Sequence, residues 1–600
     1  MNKFKKEIIK LLKTQGVNES LAESLLETPK LPELGDYAFP CFSLSKEWKK
    51  DPIQIANELS NKISNSLKGI KSNKLTHDRL TQNKLIEKVH AVGPYLNFFI
   101  NKSEYSKDVL TEIFRKKHKF GMSISTISNS SVKNQKKRIM VEFCSPNTNK
   151  PLHLGHVRNC VIGEAVSNIL KFQNNKVIKS NLVNDRGIHI CKSMLAYQKW
   201  GNNKLPDIKP DFFVGKYYVM FSQKAEEEKK EGKDTLEKEA QLMLQKWELG
   251  DKKIISLWKR MNSWVYEGFN ETYKSLGADF DRFFYESKIY KEGKEIIING
   301  LKDGVFSKDE TGAIIADMEK EKLGKKVLVR ADGTTIYITQ DVYLAKLKFD
   351  DYKLDESIYV VGSEQNLHFQ ILFRILEKLG YKWAKNCRHL SYGMVYLPEG
   401  KMKSREGKVI DADDLVKEVI ELARFEIKER HKDLNNKEIE KRARAIGLSA
   451  LKFYLLKTDF AKDIHYDPKE SISFEGETGP YVQYTYARLS SVLRKLDEKL
   501  DKKLLGKTKF GVYDEKEKEI IRMLGEFPEI ARDASAQLKP SIITRYLLDL
   551  CQKTNEFYHT NPILAAPEEL LRARIVLVHC ARQVIGAGLN LLGIEAIEEM

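Results

Sequence analysis

Alternating strand and helix patterns between residues 138 and 200 constrain this 600-residue chain more than any other feature. Residues 138–143 (RIMVEF) and 177–183 are typical of buried strands, and helical patterns begin at Leu154 and Ile188. Parallel strands need a crossover connection, so strand, helix and strand in this order indicate a βαβ unit. We therefore expect a parallel sheet of the Rossmann type at the centre of the chain.

Later segments extend this α/β core. The pattern predicts a hairpin at 327–338 with Asp332 and Gly333 in its turn, a strand at 357–361, a helix at 367–379 and a last strand at 389–396. From residue 412 onward, every periodic segment indicates helix. The predicted fold is a multidomain α/β protein with a small α+β N-terminal domain and an all-α C-terminal bundle.

These patterns divide the chain at changes in composition. A Ser/Asn/Lys-rich stretch has too little hydrophobicity to pack, and it predicts a linker. The predicted segments are an N-terminal domain (1–120), this linker (121–137), the core (138–411) with a charged helical insert (about 202–290), a helical junction (412–480) and a helical bundle (481–600).

Composition narrows the functional class. The formal net charge of +18 is typical of a protein with a polyanionic partner, and residues 1–130 carry 22 Lys/Arg against 14 Asp/Glu. Residues 482–600 are nearly neutral, with 18 against 17. None of the seven cysteines forms a C-x-x-C pair, and no signal segment or apolar run of about 20 residues occurs. We expect a cytoplasmic protein without a membrane span.

The sequence SPNTNKPLHLGH (145–156) lies between the first strand and the first helix of the core. At that place His153 and His156 fall in the first helical turn, where free backbone N–H groups attract phosphate. Their spacing of three puts both imidazoles on one side of the helix. Gly155 lets a base or ribose approach the backbone. No Walker A or G-x-G-x-x-G loop occurs.

A basic, glycine-bounded segment, GMVYLPEGKMKSREG (393–407), follows the last predicted strand. Lys401, Lys403 and Arg405 lie close together in it, and such a segment suits a pyrophosphate leaving group. A pair of histidines by itself is a weak signal, but histidines between a strand and a helix are far more specific; the basic segment alone is better explained as a solvated loop. Their combination favours a site for nucleotide chemistry.

These stretches resemble a known family. HLGH (153–156) resembles the HIGH signature of class I aminoacyl-tRNA synthetases, and KMKSR (401–405) resembles their KMSKS loop. Residues 141–159, 474–494 and 577–596 resemble arginyl-tRNA synthetases in particular. GPYLNF (93–98) resembles the end of that family's extra N-terminal domain. The resemblance spans nearly the whole chain.

The resemblance implies ATP-dependent ligation of L-arginine to its tRNA through arginyl-adenylate. ATP would enter with Mg²⁺, with no tightly bound cofactor and no metal held by the protein. Implied catalytic residues are His153, His156, Lys150, Lys401 and Lys403. Implied ATP contacts are Gly155, His153, His156, Met394, Val395 and Lys401. The chain departs from KMSKS at Ser404, which stands where the family signature has lysine, so either Lys150 or Lys403 supplies that charge.

Recognition of a guanidinium group calls for carboxylates and flat hydrogen-bonding groups. The resemblance implies that Glu142, Tyr337 and Asp341 line the guanidinium pocket, and that Asn147 and Gln365 contact the α-amino end. Capping of a helix is an alternative role for Asp341. The sequence leaves the role of Asp185 open.

Aromatic and arginine side chains in the C-terminal helices suit unstacked anticodon bases. Tyr484, Arg488 and Arg582 are the candidates for tRNA binding, although tyrosines at this spacing also suit helix packing. We expect a monomer with arginine, ATP and arginine tRNA as partners. Alternatives are another class I synthetase, a small nucleotidyltransferase, which leaves the C-terminal helices unexplained, or an inactive tRNA-binding paralogue.

Overall fold

The computed structural model describes residues 3–29, 31–67, 84–123, 136–396, 410–496 and 500–600. Within these ranges the chain forms two compact units. One comprises 1–117, 495–525 and 553–583, and the other comprises 118–494, 526–552 and 584–600.

The N-terminal part packs helices on a three-stranded antiparallel sheet. Its elements are α1 (Lys3–Thr14), α2 (Glu19–Leu25), β1 (Tyr37–Pro40), α3 (Ser45–Trp48), α4 (Pro52–Leu67), β2 (Ile86–Val92), β3 (Tyr95–Ile100) and α5 (Lys102–Lys116). The strand order is β1-β3-β2, which confirms the α+β prediction. The apolar stripes of α1 and α4 are buried because Phe4, Ile8, Leu59 and Ile63 lie in the core of this sheet.

The strands that follow lie in the central α/β part of the chain. They are β4 (Arg138–Glu142), β5 (Lys176–Val183), β6 (Arg282–Tyr285), β7 (Ser307–Lys308), β8 (Ile314–Met318), β9 (Gly324–Val329), β10 (Glu356–Gly362), β11 (Cys387–Tyr392), β12 (Val395–Tyr396) and β13 (Ile464–His465). Five of them form a parallel sheet in the order β11-β10-β4-β5-β6. The predicted parallel sheet is confirmed.

Helices connect and cover these strands. They are α6 (Leu154–Phe172), α7 (Ile188–Trp200), α8 (Pro210–Lys230), α9 (Thr235–Glu248), α10 (Lys252–Leu276), α11 (Glu286–Ile289), α12 (Gly293–Lys302), α13 (Tyr337–Tyr352) and α14 (Asn366–Lys378). From β4 the chain runs outward through β5 to β6, and it then returns to build β10 and β11 on the other side of β4. The strand order therefore reverses between β4 and β10, and ligands of such sheets bind outside the carboxyl ends of strands at this switch point.

Three sequence predictions are wrong in detail. The insert at 202–290 is not wholly helical, because β6 within it is an edge strand of the central sheet. The hairpin at 327–338 does not form: β9 pairs with β8 instead, only a single bridge joins Val329 to Thr335, and α13 already begins at Tyr337. The strand at 389–396 is two strands, since β11 ends at Tyr392 and β12 pairs with β13 in a separate two-stranded sheet.

The remainder is helical apart from β13. Its helices are α15 (Ala412–Arg430), α16 (Asn436–Lys457), α17 (Pro468–Ser471), α18 (Gly479–Arg494), α19 (Lys502–Lys507), α20 (Glu515–Gln537), α21 (Pro540–Thr560) and α22 (Glu568–Leu591). Within the described ranges, no helix combines the length and apolar character needed to span a membrane.

Candidate active site

The N-terminus of α6 presents the two histidines side by side. His153 is the N-cap and His156 lies in the first turn, with their ring centroids 4.0 Å apart. A capping box holds both rings: His153 Nδ1 accepts from the backbone N–H of Gly155 at 3.2 Å, and His156 Nδ1 accepts from the backbone N–H of His153 at 3.2 Å. A Cβ on Gly155 would lie 3.0 Å from the ring of His153, so a larger residue there would press on this ring.

These contacts fix the protonation of the imidazoles. Burial lowers the pKa of His153 to about 4 and lowers the pKa of His156 well below its ordinary value, and the neighbouring charge of Lys150 acts in the same direction. Both rings are therefore neutral near pH 7. Because each Nδ1 accepts a hydrogen bond, the proton of each neutral ring is on Nε2. The helix start thus offers two Nε2–H donors rather than two cations.

Lys150 supplies the nearby positive charge. It lies on the approach to α6, where burial lowers its pKa, and its charge is felt by both histidines. Lys401 and Lys403 fall at positions outside the described residues.

Two described segments flank residues 397–409, and both are attached to the start of α6. Before this stretch, the guanidinium of Arg158 donates to the carbonyls of Gly393 and Met394. After it, residue 154 donates its N–H to the carbonyl of Ile410 at 3.2 Å, and Ala412 donates to the carbonyl of Leu152 at 2.9 Å. Met394 and Val395, the predicted ATP contacts, therefore belong to a segment anchored to the histidine helix.

Asn147 and Gln365 follow the two strands that flank the switch point. Both side chains are exposed, Asn147 after β4 and Gln365 at the start of α14 after β10. The turn that carries Asn147 has two consecutive residues with positive φ, Cys144 (75°) and Ser145 (48°). Asn159 holds this turn by accepting from the N–H of Cys144 at 2.6 Å. Left-handed non-glycine residues are uncommon and concentrate at functional sites.

Asp341 and Tyr337 both lie on the first turns of α13. Tyr337 is 70% exposed, and the Asp341 carboxylate accepts from His368 Nε2 at 2.8 Å. The N-cap of α13 is Ile336, so Asp341 does not cap the helix and that alternative is wrong. His368 lies one turn after Gln365, which links α13 to the strand end that carries Gln365.

Glu142 is placed differently from the other predicted arginine contacts. Its side chain is buried at the end of β4, where Oε2 lies 2.6 Å from Nζ of the fully buried Lys348 of α13. This ion pair supplies the partner that a buried carboxylate requires. Glu142 and Asp341 nevertheless lie along the same side of α13, since Lys348 follows Asp341 by seven residues.

The structure adds residues that the sequence patterns missed. Glu286, buried at the start of α11, accepts from Gln340 Nε2 at 3.3 Å and lies 3.8 Å from Arg186. Burial raises its pKa to about 7, with the nearby charges of Asp185 and Asp341 acting in the same direction. A carboxyl group next to Asp341 thus titrates near neutrality. Sequence patterns could not find Glu286 because they assigned it to the helical insert.

Asp185, whose role the sequence left open, has a full set of internal partners. Its carboxylate accepts from the backbone N–H and the hydroxyl of Ser287 at 2.8 and 2.7 Å, and from the hydroxyl of Tyr266 at 3.0 Å. Burial is the main cause of its raised pKa. These bonds tie the end of β5 to α10 and α11.

The predicted tRNA contacts lie on α18 and α22. On α18, the Arg488 guanidinium stacks 4.6 Å from the ring of the part-exposed Tyr484 and donates to its hydroxyl at 3.0 Å. Arg582 lies half-buried on α22, in the other unit of the chain. Among the described residues, no group of three or more His, Cys, Asp or Glu is arranged to hold a metal ion.

Comparison with known proteins assigns each part of the chain. The model for "tRNA synthetases class I (R), catalytic domain" matches residues 123–467. The "DALR anticodon binding domain" model matches 482–600, and the "Arginyl tRNA synthetase N terminal domain" model matches 2–100.

Individual relatives match most or nearly all of the chain. The chain is 48% identical to an arginine–tRNA ligase of Parabacteroides distasonis over 490 residues, covering 78% of this chain and 82% of that protein. It is 42% identical to an arginine–tRNA ligase of Treponema denticola over 586 residues, covering 96% and 94%. The solved structure of Thermus thermophilus arginyl-tRNA synthetase is 25% identical, with a TM-score of 0.75 over 99% of both chains.

The catalytic-domain match spans more than half of the chain, which places the protein among the class I tRNA synthetases. Within that class, the match to the arginyl N-terminal domain and the nearly full-length match to an arginine–tRNA ligase select the arginine-specific enzymes. The chain belongs to the arginyl-tRNA synthetase family.

Proposed function

We propose that this protein ligates L-arginine to its tRNA in two steps. The arginine carboxylate attacks the α-phosphorus of ATP, which gives arginyl-adenylate and pyrophosphate. A terminal ribose hydroxyl of the tRNA then takes the arginyl group and releases AMP. The observation that carries this proposal is the pair of Nε2–H donors at the start of α6, beside a switch point lined by an acidic and amide-bearing set of side chains.

In the first step the protein needs no nucleophile, because the substrate supplies it. Its task is to position ATP and to stabilise charge that develops on the phosphates. His153 and His156 donate to phosphate oxygens, and Lys150 adds a full charge. The backbone N–H groups of residues 154–157 are not free as the sequence predicted, because they already donate to Ile410 and His153, so α6 contributes only the positive end of its dipole. Lys401 and Lys403 are proposed to add positive charge at the phosphates, and this proposal rests on the family resemblance alone.

Met394 and Val395 are proposed to receive the adenosine part of ATP. The carbonyl of Met394 accepts from the N–H of Ile464 at 3.0 Å, and Val395 is the strand partner of Ile464. In a parallel pair the intervening residue directs its own peptide groups away from the partner strand. The N–H and carbonyl of Val395 are thus oriented for a flat base.

Arginine recognition is assigned to the switch point. Asp341 and Tyr337 receive the guanidinium, Asn147 and Gln365 the α-amino end, and Glu142 is proposed to line the pocket with its charge balanced by Lys348. Glu286, whose raised pKa reflects burial and the charge of Asp341, adds a further carboxyl group.

We expect Asp341→Asn to weaken arginine binding and leave ATP binding nearly unchanged, because an amide replaces the carboxylate that faces the guanidinium. Loss of a charged partner costs about 2 kcal/mol or more, which is roughly a 30-fold rise in the apparent KM for arginine. Steady-state pyrophosphate exchange at varied arginine and at varied ATP separates the two effects. An unchanged KM for arginine would remove Asp341 from the pocket.

The lysine question is tested by two single variants. Lys150 lies on the approach to α6 and its charge reaches both histidines, so we expect Lys150→Ala to slow adenylate formation at least as much as Lys403→Ala. Single-turnover formation of arginyl-adenylate measures both rates. If Lys403→Ala is clearly the slower variant, the charge role belongs to the segment after Met394.

Mg²⁺ is proposed to enter with ATP, held by phosphate oxygens and water, because this small cation keeps most of its hydration. Tyr484, Arg488 and Arg582 are proposed to contact tRNA, since a guanidinium stacked on an aromatic ring suits unstacked bases. We also propose that the protein acts as a monomer in the cytoplasm.

The test of the proposed function is exchange of labelled pyrophosphate into ATP in the presence of tRNA. Exchange that depends on arginine supports the proposal. Exchange that responds equally to lysine would show that the acidic set does not read a guanidinium group.

A further inference from the structure

Arg158 is a fully buried arginine two residues after the second histidine, and it contacts four backbone carbonyls. Its Nη1 donates to the carbonyls of Gly393 and Met394, the latter at 2.9 Å. Its Nη2 donates to the carbonyls of Phe460 and Lys462, at 3.1 and 2.8 Å. One side chain of α6 thus holds two segments that lie far from it in sequence.

The two segments are also pressed directly against each other. Gly393 donates its N–H to the carbonyl of Phe460 at 2.9 Å, and a Cβ on Gly393 would lie 2.6 Å from the carbonyl oxygen of Lys462. The exposed Asp463 accepts from the N–H of Met394 at 2.6 Å. Both backbone polar groups of Met394 are therefore taken up by the clasp, which we define as Arg158, Gly393, Met394, Phe460, Lys462 and Asp463.

The clasp has a consequence for ATP. His153 and His156 stand at one end of the helical segment that carries Arg158, and Val395 follows Met394 directly. The guanidinium of Arg158 thus helps to set the spacing between the phosphate donors and the backbone proposed to meet adenosine. Burial lowers the pKa of Arg158 to about 10, so the group stays charged at neutral pH and keeps all of its donors.

We infer that Arg158 is a positioning residue for ATP in adenylate formation, acting through Met394 and Val395 and not by contact with substrate. The inference rests on the proposed function. Arg158 is separate from the pocket proposed for the substrate arginine, because none of the hydrogen bonds of Arg158 reaches Asn147, Asp341 or Gln365.

The first variant is Arg158→Lys, which keeps the charge but cannot span four carbonyls with one ammonium group. We expect the KM for ATP in tRNA-supported exchange to rise about tenfold or more while the KM for arginine stays within about threefold. The matched control is Arg442→Lys: Arg442 is likewise buried and pairs with Glu438 and Glu599 on α16 and at the C-terminus. We expect that control to leave both KM values unchanged.

The second variant is Asp463→Ala, at an exposed position where folding is not at risk. It frees the N–H of Met394, and we expect a smaller rise in the KM for ATP with no change for arginine. If Arg158→Lys fails to fold, this variant decides. Equal rises in both KM values in Arg158→Lys, or an unchanged KM for ATP in both variants, would overturn the inference, as would an unchanged KM for ATP in Asp463→Ala where Arg158→Lys does not fold.

Failure of the proposed function gives a different result. Wild-type protein without arginine-dependent exchange, with tRNA present, contradicts the activity itself. Active wild-type protein with an unchanged ATP response in both variants contradicts only the role of Arg158.

Discussion

Replacing either histidine at the start of α6 is expected to slow adenylate formation by roughly 10²–10³-fold, the usual loss for one preorganised donor at a developing charge. His153→Ala and His156→Ala each remove one Nε2–H from the pair. Rapid-quench measurement of arginyl-adenylate with saturating tRNA gives the rate. The control is His431→Ala, at the C-terminal end of α15, which should retain full activity.

Stability must be followed in the same variants, because His153 also caps α6. Loss of a cap costs about 1 kcal/mol, far less than the loss expected in the rate. A variant that keeps near-normal activity would show that the histidines do not serve the phosphates. A variant that loses activity only in proportion to its unfolded fraction would show the same.

The neutral state of His153 adds a pH test. Its pKa is about 4 in the folded protein and near 6.5 in the unfolded chain, so the folded state binds fewer protons between these values. The contribution of His153 to the free energy of unfolding is complete above about pH 6.5 and is lost as the pH falls towards 4. Wild-type stability should therefore lose more on acidification through this window than that of His153→Gln.

Removing tRNA is expected to abolish arginine-dependent pyrophosphate exchange almost completely, an effect of at least about 100-fold. This dependence is a property that the family resemblance implies. A route through the structure supports it: α15 begins where residues 410–412 pair with the histidine segment, and β13 pairs with β12 beside Met394. Asp459, a few residues before β13, forms an ion pair at 2.6 Å with Lys539, just before α21.

Couplings between two sites are typically about 1–3 kcal/mol, which corresponds to roughly 5–150-fold. Loss beyond that range requires the 3′ end of the tRNA to complete the site directly. Exchange is measured with nuclease-treated protein, alone, with arginine tRNA and with a tRNA of another specificity. Robust exchange by the protein alone would leave the junction as a passive spacer.

Local patterns predicted the elements that surround the site. The bounds of β4 and β5 and the first residues of α6 and α7 agree with the sequence prediction to within about one residue, because a buried strand and an amphipathic helix each have a characteristic period. The alternating apolar residues on either side of Asp332 and Gly333 predicted a hairpin. Only one bridge forms there, between Val329 and Thr335, so the hairpin prediction was wrong.

Features that depend on distant residues were beyond those patterns. Lys348 lies about 200 residues from Glu142, and the carbonyls bound by Arg158 are more than 230 residues away. Protonation of the histidines likewise depends on burial and on which ring nitrogen meets a backbone N–H. Tertiary contacts supply this information, and the period of a single segment does not contain it.

The central claim is that this chain attaches arginine to tRNA, and amino-acid selectivity in tRNA charging tests it most directly. Purified protein, total tRNA and MgATP are incubated with each of the twenty labelled amino acids in turn, and acid-precipitable tRNA is counted. We predict charging with arginine alone, lost in His156→Ala and reduced at low arginine in Asp341→Asn. Charging with a different amino acid, or none with arginine while tRNA and ATP are both bound, would contradict the account.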